Sequence, residues 1–65
     1  MKVIVNGREI QAGASSVSEY IENAGWKPSQ VVVEYNGEVL PRRKLADVRL
    51  KDGDRLEIVL PVAGG

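Results

Sequence analysis

The chain has 65 residues, room for one small domain, and 43% of them are hydrophobic while 28% are charged. This balance is typical of a folded protein, because disorder combines low hydrophobicity with high net charge. Nine basic residues match nine acidic ones, so the formal net charge is zero. A dedicated nucleic-acid binder usually shows a basic excess, and we therefore expect no nucleic-acid partner.

Two residue types that carry much of protein chemistry are absent, since the chain contains no Cys and no His. This excludes disulfides, a thiolate nucleophile and the commonest general base and metal ligands. We expect no metal site, no bound cofactor and no enzymatic activity of the chain acting alone. No apolar run approaches the roughly 20 residues of a membrane helix. We expect no signal peptide, because the first residues alternate and do not form a basic start followed by an apolar block. The expectation is a cytoplasmic protein with no membrane partner.

The first 24 residues predict a β-hairpin followed by a helix. A short apolar run at residues 2–5 precedes Asn6-Gly7, a pair that favours a tight hairpin turn, and residues 8–12 alternate. Ser16 and Glu19 then have the spacing of a capping box at a helix start. One apolar helix face follows at the proper spacing, and Gly25 and Pro28 end it. We predict a helix over residues 16–24, with this apolar face: Val17, Tyr20, Ile21 and Ala24.

The remainder of the chain predicts three more strands. Residues 31–35 are rich in β-branched and aromatic side chains, Asn36-Gly37 predicts a second hairpin, and residues 38–40 form the return strand. Residues 41–51 are interpreted as a connecting loop with three apolar side chains turned inward: Leu45, Val48 and Leu50. Asp52-Gly53-Asp54 predicts a tight turn and is too short for a calcium loop. Residues 55–60 alternate again as the last strand.

The predicted order is β-β-α-β-β-β, and a lone helix must bury its apolar face across a sheet. The fold class is therefore α+β, a β-grasp or ubiquitin-like architecture. We expect a mixed sheet of four to five strands with one helix packed across one face. The domain is expected to span residues 1–60, and residues 61–65 are expected to form a flexible tail that ends in Gly-Gly.

Alternation along the strands divides their residues between two faces of the sheet. The face toward the helix is predicted to carry seven side chains: Val3, Val5, Val33, Tyr35, Leu56, Ile58 and Leu60. Three apolar residues are then assigned to the other face: Ile4, Val32 and Val59. We interpret these three as a candidate docking surface for a partner. Trp26, just after the helix, is expected to cover the helix end.

Three segments carry a resemblance to a known family. They are "NGEVLPR" at residues 36–42, "DGD" at 52–54 and the terminal Gly64-Gly65. Together they resemble the sulfur carriers of thiamine biosynthesis, the ThiS family, over essentially the whole chain. The ending "LPVAGG" also resembles the small subunit of molybdopterin synthase. That subunit, another pathway-specific sulfur carrier, and a ubiquitin-like protein modifier stay open as alternatives.

The resemblance implies a definite chemistry for the end of the chain. An E1-like adenylyltransferase would join the Gly65 carboxylate to AMP from ATP, and a persulfide donor would convert it to a thiocarboxylate. That group would give its sulfur to thiazole synthase. Gly64 would share the reactive end, and further partner contacts are expected from four residues: Arg42, Pro61, Val62 and Ala63.

The residue types at the end of the chain suit this chemistry. A terminal carboxylate has a pKa of about 3.3–3.7, so at neutral pH it is an anion and a poor electrophile that a partner must activate. Glycines lack a Cβ and let the backbone pass a narrow channel. Residues 61–65 can reach at most about 17 Å when extended. The reactive group is therefore expected to be the carboxylate of Gly65 as the final residue.

Overall fold

The structure, a computed structural model, describes residues 1–61. Predictions about Val62, Ala63, Gly64 and Gly65 lie outside these residues. Five strands and one α-helix form in the predicted order. Their bounds are β1 Lys2–Val5, β2 Arg8–Gln11, α1 Val17–Asn23, β3 Val32–Tyr35, β4 Glu38–Leu40 and β5 Arg55–Val59. Single turns of 3-10 helix span Pro28–Gln30 and Arg42–Lys44.

The five strands form one mixed sheet in the order β2-β1-β5-β3-β4. β1 pairs with β5 in parallel, and the other neighbouring strands pair antiparallel. β5, the last strand of the described residues, therefore lies at the centre of the sheet. The predicted α+β class, with a mixed sheet and one helix, is confirmed.

Both hairpins turn at the predicted Asn-Gly pairs. Asn6 and Asn36 each have φ of 50°, and the glycines that follow them have φ of 81° and 89°. Consecutive positive φ values match the twist of the flanking strands, and Asn and Gly adopt them at least cost. The Asn-Gly pairs at these two turns therefore set the register of β1 with β2 and of β3 with β4.

Helix α1 has well-defined hydrogen bonds at both ends. The Glu19 backbone N–H donates to Ser16 Oγ at 3.1 Å, and the Ser16 N–H donates back to Glu19 Oε1 at 2.9 Å, which confirms the capping box. The Ser16 backbone N–H is the main cause that lowers the pKa of Glu19. At the other end, Gly25 has φ of 92°, and the backbone N–H of Trp26 donates to the Ile21 carbonyl at 3.0 Å. Trp26 thus takes part in the helix-ending motif.

The core lies between α1 and one face of the sheet. Nine hydrophobic residues are buried there: Val3, Val17, Ile21, Val31, Val33, Leu45, Leu50, Leu56 and Ile58. Leu45 and Leu50 turn inward from the long loop as predicted, and Val48 packs against this core in a half-buried position. Burial of such side chains supplies roughly 1.5–3 kcal/mol each for a residue of this size.

Leu60 departs from the predicted pattern. Alternation predicts that its side chain faces the helix, yet its exposed fraction is 58%, and β5 ends one residue earlier at Val59. The alternation rule holds within a paired strand, and Leu60 lies beyond the last pair, so the rule does not bury it.

Candidate functional site

The face of the sheet opposite α1, called here the open face, carries the candidate docking residues. It is formed by the strand residues that alternate with the buried ones: Lys2, Ile4, Glu9, Gln11, Val32, Glu34, Val39, Arg55, Glu57 and Val59. All three apolar residues assigned to this face by alternation, Ile4, Val32 and Val59, lie on it. Their role in docking stays a prediction.

The strand register separates these three residues into two places. Val32 lies directly opposite Val59, and their exposed fractions are 38% and 56%. Ile4 instead lies opposite Arg55, four residues along β5 from Val59. At about 3.3 Å per residue this is a separation of roughly 13 Å. Val32 and Val59 therefore form one apolar point on the open face, at the end of β5, and Ile4 forms another.

A further apolar residue, Val39, belongs to the first of these points, and sequence reasoning did not single it out. It is 66% exposed and lies opposite Glu34 on the neighbouring strand, diagonal to Val32. We call Val32, Val39 and Val59 the tail-root patch, because β5 leads from it to residue 61. The Asn36-Gly37 turn determines the register of β4, so this placement could have been found from the sequence.

Arg42 lies next to the tail-root patch and is held by the backbone. Its Nε donates a hydrogen bond to the carbonyl oxygen of Val31 at 3.2 Å, at the residue before β3 begins. The side chain starts from the 3-10 turn Arg42–Lys44, which follows Pro41. Arg42 is still exposed, so it can meet a partner from a fixed position. Pro61, the last described residue, is exposed as well.

Asp54 is a buried charged residue whose carboxylate is held by hydrogen bonds from neighbouring residues. It is 4% exposed, and its carboxylate accepts hydrogen bonds from the Tyr35 hydroxyl at 2.7 Å, the Lys51 N–H at 2.7 Å and the Asn36 amide at 3.2 Å. Burial by itself would raise the pKa of Asp54, but these bonds and the charge of Lys51 outweigh it, so the pKa lies below its ordinary value. The carboxylate therefore closes the turn between the long loop and β5.

Asp52 has an equally local partner, because its Oδ1 accepts a hydrogen bond from the Lys2 N–H at 2.7 Å. This agrees with the prediction of a plain turn over residues 52–54. Among residues 1–61 no group of three or more His, Cys, Asp or Glu side chains is placed to hold a metal ion. Within the same residues no helix is long and apolar enough to cross a membrane.

Trp26 borders two shallow hollows on the helix side of the molecule. One, of about 270 Å³, is shared with Lys27, Gln30 and Leu60, and the other, of about 120 Å³, lies against Tyr20 and Ile58. Both are smaller than the roughly 300–1,000 Å³ of typical small-molecule sites. The Trp26 side chain is 37% exposed.

Within residues 1–61, one α-helix packs across a mixed five-stranded sheet with β5 at its centre, and this arrangement defines the ubiquitin-like β-grasp class. Comparison with known proteins gives the family. The model of the ThiS family matches residues 3–65, and the chain belongs to this family. The prediction made from "NGEVLPR" and the terminal glycines is confirmed.

Two solved structures of thiamine biosynthesis proteins are similar to this chain. A crystal structure of the thiamine biosynthesis protein ThiS from Geobacter metallireducens is 33% identical, with a TM-score of 0.84 and full coverage of both chains. A solution NMR structure of a thiamine biosynthesis protein from the same organism has a TM-score of 0.77 at 33% identity, covering all of this chain and 88% of that one. These likenesses confirm the β-grasp fold.

A curated relative is much longer than this chain. The thiazole synthase of Paramagnetospirillum magneticum is 39% identical over 66 residues, which cover all of this chain and 20% of that protein. The chain therefore spans about a fifth of the length of the curated relative that it matches.

Proposed function

We propose that this chain is a sulfur carrier of thiamine biosynthesis and that its working group is the carboxylate of Gly65. The observation that carries the proposal is the match to the ThiS family, which extends from residue 3 through both terminal glycines. The solved neighbours named as thiamine biosynthesis proteins support the same pathway.

The proposed chemistry takes place in three steps at the Gly65 carbonyl. A carboxylate oxygen attacks the α-phosphorus of ATP, and pyrophosphate leaves, so the carboxyl group becomes an acyl adenylate. The terminal sulfur of a protein persulfide then attacks the carbonyl carbon and AMP leaves. A thiol cleaves the resulting acyl disulfide, which releases the thiocarboxylate and forms a disulfide with the donor. The carrier contributes the carboxyl group, and the activating enzyme contributes the catalytic groups.

We further propose that an E1-like adenylyltransferase binds the tail-root patch. Val59 lies two residues before Pro61, so a partner seated on this patch meets the chain where it leaves the sheet. From Pro61 to Gly65 the chain can extend by up to about 17 Å, which allows the domain to bind outside an enclosed nucleotide site. Arg42 is held beside β3 by its hydrogen bond to the Val31 carbonyl oxygen, and we propose that it contacts the same partner.

Thiazole synthase is the proposed sulfur acceptor. Support comes from the relative of that name, in which a segment similar to this entire chain is part of the longer protein.

The test is an incubation with the purified adenylyltransferase, ATP and a persulfide donor, followed by intact mass spectrometry. Wild type is expected to exchange one oxygen for sulfur. Deleting Gly65 shortens the reach by roughly 3.5 Å, and adding one residue moves the carboxylate the other way. A misplacement of about 1 Å can cost roughly 100-fold in rate, so both variants are expected to fail as carriers.

Gly13→Ala is the matched control for changes at a glycine. Gly13 has an ordinary φ and open space where a Cβ would be, so this variant is expected to gain sulfur as wild type does. Sulfur gain by the truncated or extended protein at the wild-type rate would overturn the assignment of Gly65. Isopeptide-linked conjugates in place of a thiocarboxylate would support a protein modifier instead.

A further inference from the structure

Two carboxylates lie directly opposite each other on the open face. Glu34 of β3 and Glu57 of β5 are register partners, and both are exposed. Directly opposite residues of an antiparallel pair have Cβ atoms about 4.5–5.5 Å apart, and like charges at such a position destabilise a sheet. Within residues 1–61 neither carboxylate forms an ion pair. This acid pair therefore costs stability without a compensating contact in the described chain.

Within residues 1–61, neither cation on the same face forms an ion pair with Glu34 or Glu57. Lys2 reaches Glu9 on β2, with Nζ and Oε2 3.9 Å apart. Arg55 lies two residues before Glu57 on β5, where its carbonyl oxygen accepts the Asn36 backbone N–H. It forms no ion pair within the described residues. Glu34 and Glu57 thus present two adjacent negative charges to solvent.

The acid pair borders the tail-root patch. On the same face, the next register pair after Glu34–Glu57 is Val32–Val59, about 6.6 Å further along the strands. Val39 flanks Glu34 from β4. The exposed apolar tail-root patch therefore has the negatively charged acid pair as its direct neighbour on the open face. Interfaces commonly have this composition, with an apolar centre and a charged rim that selects the partner.

We infer that the acid pair receives an arginine side chain of the activating enzyme when that enzyme binds the tail-root patch. The inference rests on the proposed function and specifies the chemistry of its docking surface. A planar guanidinium has five N–H donors and can bind more than one carboxylate oxygen at once. It would remove the repulsion between the two carboxylates, so part of the stability lost in the free carrier is regained in the complex.

The experiment compares Glu34→Gln, Glu57→Gln and the double variant with wild type in binding to the purified adenylyltransferase. Affinity is measured at low and at physiological salt, and stability by urea unfolding. We expect affinity to fall about tenfold in the double variant, and its salt dependence to become weaker, because a charge contact is lost. Unfolding midpoints should stay at or above the wild-type value, since the repulsion is relieved.

Glu22→Gln serves as the matched control. Glu22 is exposed on α1, across the molecule from the open face, and its replacement changes the net charge by the same amount as either single acid-pair variant. Wild-type affinity in this variant and reduced affinity in the acid-pair variants would support the inference. Unchanged binding of the double variant, or a loss of its stability in step with its binding, would overturn the inference while leaving the proposed function in place. A wild-type protein that the enzyme does not bind or adenylate would overturn both.

Discussion

The side-chain amide of Asn6 pairs with the backbone of Ile58 as though it were another residue of β1. Its Oδ1 accepts the Ile58 N–H at 2.7 Å, and its Nδ2 donates to the Ile58 carbonyl at 3.2 Å. On the other side of β5, Asn36 accepts the Arg55 N–H at 2.9 Å through its own Oδ1. The asparagines of both hairpin turns therefore hold the central strand, which leads to the tail.

The first prediction concerns this pairing. Asn6→Gly keeps the positive φ of the turn but leaves the Ile58 N–H and carbonyl without the amide, so we expect a loss of about 1–3 kcal/mol in the free energy of unfolding. Asn6→Ala should cost roughly 1–2 kcal/mol more, because a Cβ disfavours left-handed backbone. Urea unfolding measures both losses. Equal stability of Asn6→Gly and wild type would contradict the role of the amide.

The second prediction concerns the core. Ile21 is fully buried on α1, and Ile58 is 7% exposed on β5. Truncating either to Ala is expected to cost roughly 2–5 kcal/mol, a large part of the stability of a small domain. Val39→Ala, at a position 66% exposed, is the control and should stay within about 0.5 kcal/mol of wild type. Wild-type unfolding midpoints for both Ile variants would show that the face assignment is wrong.

The third prediction concerns acid stability. The pKa of Asp54 is lowered in the folded protein, so its ionised form stabilises the fold above the unfolded pKa of about 3.9. This contribution is lost as the pH falls through the folded pKa. We expect the urea midpoint of wild-type unfolding to fall as the pH drops below about 4. Asp54→Asn should be less stable than wild type at neutral pH, and its urea midpoint should change less with pH across that acid range. Urea titrations from neutral to acid pH measure this.

Asp47→Asn is the control for this pH dependence, because Asp47 is an exposed carboxylate in the long loop. It should retain the wild-type profile. Tyr35→Phe removes the hydroxyl that donates to Asp54 at 2.7 Å, so it should weaken the stabilisation at neutral pH. An Asp54→Asn protein with the same acid profile as wild type would argue against the network.

The fourth prediction concerns docking at the tail-root patch. Val59→Asp places a carboxylate on an exposed apolar contact, so it should leave the fold intact and slow adenylation of the carrier by a purified activating enzyme. Asn23→Asp adds the same charge on α1, on the other side of the sheet, and should react as wild type does. Adenylation of Val59→Asp at the wild-type rate, with circular dichroism confirming its fold, would eliminate this patch as the docking surface.

Local chemistry in the sequence determined the elements of this protein. Asn-Gly pairs tolerate positive φ, so both hairpin turns could be placed from residue type. The Ser16–Glu19 spacing predicted the capping box, and two-residue alternation predicted the buried sides of Val3, Val33 and Leu56. The family, too, could be predicted, because its motifs are short and continuous in the chain.

The neighbours of each strand were decided by the tertiary structure. Alternation assigns a side chain to a face but does not say which residue of another strand lies beside it. Pairing of β5 with β1 in parallel and with β3 antiparallel placed Ile4 far from Val59 and Glu34 directly opposite Glu57. Leu60 stayed exposed because the last pair of β5 comes before it. Such contacts depend on packing between segments distant in the chain, so residue types along a single strand do not encode them.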